Sequence, residues 1–302
     1  MSAASMALAM LIADPVILGA TPPPISQEKP ADDVVQAEAD TYDRMTIEAV
    51  VHGIGPFRFI IDTGSQRTVL STALAATLGL AEGPQVRVVG IAGSRHVTTA
   101  QVHSIAVGAL SFRNLTVPLL ERINIGADGI LGTDSLQHQR VLLDFTRNRI
   151  SIADRAATAT RGEFEIVVRA KRRSGRLILT NALIDGTRTD VVIDTGASGT
   201  IGNRALQRSL ARKRQKALGT SEVSSVTGHL LPVELAVAGK LELGRMTLSN
   251  VPVAYADAPA FAELRLDRKP AIFLGMRELR AFKRVAIDFS SRKVLFDLVD
   301  AK

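Results

Sequence analysis

The chain has 302 residues, 46% of them hydrophobic and 22% charged, with no Cys and a formal net charge of +7. The length suits about two domains and the apolar share suffices for packed cores, which excludes a disordered chain. Without Cys there is no disulfide framework, thiolate metal site or cysteine nucleophile, and no apolar run of about 18 residues makes the chain a polytopic membrane protein. The positive charge gathers at Arg169 to Arg176 (RAKRRSGR) and Arg208 to Lys216 (RSLARKRQK). Neither run is interleaved with base-stacking aromatics, and the chain has no Trp and two Tyr. Both runs read as solvated faces, so nucleic acid is not an expected partner.

In chain order, residues 5 to 20 (SMALAMLIADPVILGA) are apolar and run into the Pro-rich Thr21 to Pro24. That outline is the outline of an export signal followed by a linker, although no Lys or Arg precedes it and Asp14-Pro15 interrupts it. The expectation is an exported chain, periplasmic or secreted, with no stable membrane insertion beyond that signal; the alternative is a cytoplasmic chain with a frayed tail. Residues 25 to 40 are a polar lead-in, so 1–40 is set apart as signal and linker. Thr46 to Val51, Phe57 to Ile61, Val86 to Ile91 and Leu115 to Leu120 carry the β-branched and aliphatic content of strands. Ser71 is placed to cap a helix over Thr72 to Leu78, which Gly79 stops. A second short helix is expected at Thr133 to His138. In the second half, strands are expected at Val191 to Ile193, Val223 to Val226 and Val233 to Val237, and helices at Asn203 to Lys213 and Met276 to Phe282. Many short strands with a few short helices predict an all-β chain with a barrel in each half. The boundary falls near Ala153 to Arg161, giving lobes over 41–156 and 157–302.

The division rests on an internal repeat. Phe57 opens F-R-F-I-I-D-T-G-S, and Thr189 opens T-D-V-V-I-D-T-G-A, which places Asp62 and Asp194 132 residues apart (194 − 62). Gly129-Ile130-Leu131-Gly132 is echoed by Ile272-Phe273-Leu274-Gly275, and VLLDF at Val141 by VAIDF at Val285. Two copies of one long unit make two similar lobes; a solenoid needs shorter and more numerous repeats.

Each Asp follows an apolar strand and precedes Thr-Gly. Such a strand buries the base of the carboxylate, which is costly unless the group is paired or hydrogen-bonded. The Gly lets backbone or a second carboxylate approach, and the Thr hydroxyl can fix the turn. A lone Asp-Thr-Gly is an ordinary turn signal, but two copies in matched context are not. Ile60-Ile61-Asp62-Thr63-Gly64-Ser65 and Val192-Ile193-Asp194-Thr195-Gly196-Ala197, with Gly129 to Gly132 and Ile272 to Gly275, resemble the active-site loops and backing strands of retropepsin-like aspartic proteases. The resemblance covers roughly residues 44 to 300.

The resemblance implies a single-chain, two-lobe protein with acid-protease-like β-barrels, monomeric and acting on a peptide or protein substrate without metal or cofactor. It implies that Asp62 and Asp194 are catalytic, sharing one proton and activating a water between them. Thr63 and Thr195 would brace the opposite loop, and Gly64 and Gly196 would offer N–H groups to the carboxylates. Ser65 would place a hydroxyl beside the pair where Ala197 places none. Gly93 and Gly228 would be the tips of substrate-covering flaps. Retroviral members carry Arg directly after the apolar-apolar-Gly; here Thr133 and Met276 stand there, so the lobes must be anchored differently. The alternative is a catalytically silent peptide-binding module on the same fold. The five His show no paired ligand spacing, and no GxSxG or phosphate-cradling Gly loop occurs. Asp32-Asp33 reads as linker and Glu163/Glu165 as edge-strand surface. Asp144 and Asp288, at matched repeat positions, read as scaffold residues that end strands.

Overall fold

The computed structural model describes residues 33–40, 44–154, 164–213 and 215–298. The apolar segment 5–20 and most of the expected boundary lie outside the described residues.

Each half closes a six-strand ring. In the first, Met45–Val51 pairs antiparallel with Ile54–Ile61, which runs parallel to Gly129–Leu131. Gly129–Leu131 pairs with Val69–Ser71, that strand with Leu110–Leu120, and that with Thr99–Val107. Thr99–Val107 returns to Met45–Val51 through Val50↔Ala106 and Val51↔Ile105. The second half repeats the circuit. Arg176–Ile184 pairs with Thr187–Ile193, followed by Ala271–Leu274, Thr200–Gly202, Met246–Tyr255 and Leu230–Leu243. The last strand closes on the first at Leu183↔Glu242 and Ile184↔Leu241. Ring closure leaves the barrel strands no unpaired edge. The fold is thus all-β with two similar barrel lobes and a few short helices, as the repeat predicted.

The last three residues of each strand that leads to an Asp are apolar and buried on both faces. Phe59 and Ile61 point into the main core, while Ile60 packs with Val69, Leu120, Ile125 and Ile130 in a second cluster. Val191 and Ile193 likewise enter the main core, and Val192 joins Ile178, Ile201, Phe261 and Phe273. A strand buried on both faces reads as a continuous apolar run, which is how these segments look in the sequence.

A third sheet joins the halves. Its strands run Asp33–Gln36, Arg149–Asp154, Gln139–Asp144, Arg284–Asp288, Lys293–Asp297 and Ile166–Arg169. The echoed segments VLLDF and VAIDF are neighbours at its centre, paired from Arg140↔Asp288 to Asp144↔Arg284. Asp144 and Asp288 end their strands and accept from Arg147 N and Ser291 N at 2.9 and 2.7 Å. Asp33, expected in a linker, instead opens a strand against Ile152, because the edge strand Arg149–Asp154 needs a partner.

Other expectations shift at their ends. Ser71 Oγ accepts from Leu74 N at 3.0 Å, and Gly79 sits at φ +62° after the helix Thr72–Thr77. Helices Thr133–Leu136 and Met276–Leu279 are shorter than expected. The α-helix Arg204–Leu210, capped by Asn203, passes into a 3-10 turn, Ala211–Lys213. The strand expected to reach Ile91 ends at Val89, and that expected to reach Val226 ends at Ser224. Both apolar residues lie in turns, because each packs across onto the other lobe.

Candidate functional site

The loops bearing Asp62 and Asp194 are fixed from behind by the apolar-apolar-Gly strands. Asp62 N donates to Leu131 O at 3.1 Å and Asp194 N to Leu274 O at 3.0 Å. The chain then turns, with Ser65 N and Ala197 N donating to Asp62 O and Asp194 O, each at 3.4 Å. Gly132 and Gly275 pass so close to the backbone of Arg67 and Gly199 that a Cβ would overlap it. Their N–H groups donate to the hydroxyls of Thr68 and Thr200 at 3.1 and 3.3 Å. Those hydroxyls donate in turn to Asp134 (2.7 Å) and Glu278 (2.6 Å). A hydroxyl–carboxylate pair, part-buried in the first half and buried in the second, therefore ties each loop to its own lobe.

The two loops interlock. Thr63 Oγ1 donates to Ile193 O at 2.9 Å and accepts from Thr195 N at 3.4 Å. Thr195 Oγ1 donates to Ile61 O at 2.6 Å and accepts from Thr63 N at 3.1 Å. Each hydroxyl is thus satisfied as donor and acceptor across the lobe boundary, as a buried polar group requires. The glycines pack reciprocally: a Cβ on Gly64 would overlap the Asp194 carboxyl group, and one on Gly196 the Asp62 carboxyl group. The side chains of Asp62 and Asp194 lie within hydrogen-bonding reach of each other.

The two carboxyl groups differ in their donors. Asp62 Oδ1 accepts from Gly64 N and Ser65 N, both at 2.8 Å. Asp194 Oδ1 accepts from Gly196 N at 3.1 Å. Burial pushes the Asp62 carboxyl above its usual range, against the pull of those two amides and of Arg176 and Arg44. Burial pushes Asp194 up as well, to about 8, helped by the charge on Asp62 and opposed by Gly196 N–H and Arg176. Two amides on one carboxylate and one on the other favour charge on Asp62 and a proton on Asp194. Ser65 donates its N–H to Asp62, and its hydroxyl donates to Arg67 O at 2.8 Å. Ala197 brings no polar side chain.

Gly93 lies in the turn between Val86–Val89 and Ser94–Val97, and Gly228 in the turn before Leu230–Leu243. The two turns touch. Gly93 abuts the ring of His229, and Gly90 the hydroxyl of Ser225. Ile91 packs with the second lobe's Phe261 and Phe273 cluster, and Val226 with the first lobe's Leu120 and Ile125 cluster. Arg87 reaches Glu263 at 3.3 Å across the same gap. A cavity of about 210 Å³ with a mixed lining that includes His96, Leu120, Glu121, Asn124 and Val226 opens beside these turns. Among the described residues no three His, Asp or Glu gather as a metal site, and no helix is long and apolar enough to cross a membrane.

Two arginines at the site were not expected there: Arg44 carried no expectation, and Arg176, placed with the solvated run Arg169 to Arg176, instead turns inward onto the first lobe's loop. Arg176 Nε donates to Gly64 O, and Arg44 Nη1 to Gly196 O at 3.5 Å. Both stand 18 residues before their own lobe's Asp (62 − 44 and 194 − 176). That repeat spacing was the available signal.

A family model described as Aspartyl protease matches the chain twice, over residues 47–135 and 180–277. No curated protein matches it. The two matches span the two barrels, and together they cover more than half of the chain. The chain belongs to the aspartyl protease family.

Proposed function

We propose that the protein is an aspartic endopeptidase, working as a monomer on peptide or protein substrates, with Asp62 and Asp194 as its catalytic pair. The observation that carries this reading is the reciprocal approach of Gly64 and Gly196 to the opposite carboxyl group, which leaves two acids side by side on a half-buried floor. Two such groups do not both ionise, so the pair holds one proton at working pH.

The chemistry follows from that single proton. The Asp62 carboxylate takes a proton from a water lying against both acids. The water oxygen attacks the peptide carbonyl carbon while Asp194 gives its proton to the carbonyl oxygen. The tetrahedral gem-diol then collapses: the nitrogen is protonated by Asp62, the C–N bond breaks, and a hydroxyl proton returns to Asp194. The pair is regenerated with its original proton, and no covalent intermediate or cofactor enters. In this reading Thr63 and Thr195 keep the carboxyl groups coplanar by locking the loops. The turns at Gly93 and Gly228 are flaps that must part to admit substrate and close to exclude water.

The rival reading is a silent peptide-binding module with the same fold. Cleavage of a broad peptide library by wild type, Asp62→Asn and Asp194→Asn separates the two. Loss of cleavage in both variants supports the peptidase; a wild type that binds but never cleaves supports the module. Export from residues 5–20 belongs to the same proposal and is read by N-terminal sequencing of the mature protein.

A further inference from the structure

We propose that Arg44 and Arg176 are a matched pair of positioning residues, each carried by one lobe and clasping the other lobe's Asp-Thr-Gly loop through the carbonyl of its glycine. The inference rests on the reading of Asp62 and Asp194 as the working pair. Three observations support it. The arginines occupy the same place in the repeat. Each crosses to the opposite lobe, Arg176 to Gly64 O and Arg44 to Gly196 O. Gly64 and Gly196 are also the residues that lie against the opposite carboxyl group, so a shift of either loop moves an acid relative to its partner.

The two are not electrostatic equivalents. Arg44, 7% exposed, pairs with Asp40 at 2.6 Å and donates to Ile125 O at 2.7 Å. Its charge is thus largely answered within its own lobe, and it acts as a mechanical tie. Arg176 instead faces Asp62, Asp194 and Glu263, and Glu263 is shared with Arg87. Its field falls on the pair itself and favours the charged form of both acids. Arg44 faces Asp62 more weakly. The second half's arginine therefore has two roles, holding the Gly64 loop and keeping the pair able to ionise.

The test uses the full chain labelled with carboxyl-¹³C aspartate, with the two resonances assigned by Asp62→Asn and Asp194→Asn. In Arg176→Met, both titration midpoints should rise, by about half a pH unit or more, as removal of a nearby cation requires. The pH profile of kcat/KM should move to higher pH with them. Arg44→Met should lower kcat while moving the midpoints less. A folded Arg176→Met with unmoved midpoints overturns the proposal. If Arg176→Met does not fold, Arg176→Lys decides. Midpoints held near wild type with a kcat roughly tenfold lower support the two roles; Lys midpoints that rise as the charge-free variant's should would refute the field, and a wild-type kcat would refute the clasp. A wild type that cleaves no peptide sinks the peptidase reading but leaves the titration readable.

Discussion

Gly64 stands directly against the Asp194 carboxyl group, near enough that a Cβ built on the glycine would lie 2.5 Å from Cγ of the acid. This contact is where the sequence repeat becomes chemistry: two loops 132 residues apart meet only because each offers the other a residue without a side chain. Gly64→Ala should force the loops apart. The expected cost is about 1–3 kcal/mol of stability, as for other overpacked sites, with peptide cleavage lost even where the variant stays folded. Denaturation and cleavage measured on one preparation check both parts.

The interlocked threonines give a second expectation. Thr195→Val keeps the shape but leaves Ile61 O without its donor and Thr63 N without its acceptor, both buried. Two buried unsatisfied groups cost roughly 1–3 kcal/mol each. Thr195→Ser restores both bonds and should recover most of that loss. Urea unfolding of the three proteins reads the difference; equal midpoints for Val and wild type would show that the interlock contributes nothing.

The raised carboxyls predict an unusual pH dependence of stability. Asp194 titrates at about 8 in the folded chain, against an unfolded value near 3.8. The folded state therefore binds more protons than the unfolded one between those values, so stability falls as pH rises through that window. The contribution is fully present below about pH 3.8 and gone above about 8. Asp194→Asn cannot ionise and should be more stable than wild type at neutral pH, by roughly 1–3 kcal/mol once partial solvation is allowed for. The two should converge in acid. Melting curves across pH test this, and a wild type that loses no stability relative to the variant as pH rises contradicts it.

The touching turns predict a barrier to access. Ile91→Asp puts a charge into the apolar cluster around Phe261 and Phe273 and should release the Val86–Val97 hairpin. Faster amide exchange across that hairpin, with the barrel strands unchanged, is the expected result; unchanged exchange would mean that Ile91 holds nothing closed.

The legible parts of this protein were those written twice. The Asp-Thr-Gly loops, the backing strands and the barrels all announced themselves because a second copy made each weak motif specific. The strand ends Phe59 to Ile61 and Val191 to Ile193 were readable by their short apolar runs, a consequence of burial on both faces. Arg44 was hidden because a single Arg before a strand carries no local signal, and Arg176 because it ends a basic run that looks like a solvated face; only the partner loop in the other lobe gives either its meaning. Asp33 was misread for a similar reason, since its strand exists only by pairing with residues more than a hundred positions away.

The proposed chemistry turns on one water activated between Asp62 and Asp194. Its most direct test is steady-state cleavage of a peptide substrate by wild type, Asp62→Asn and Asp194→Asn across the pH range. Wild type should give a bell-shaped profile, and each variant a fall of about a hundredfold or more in kcat, the scale of lost acid–base catalysis. Cleavage by either Asn variant at the wild-type rate would contradict it.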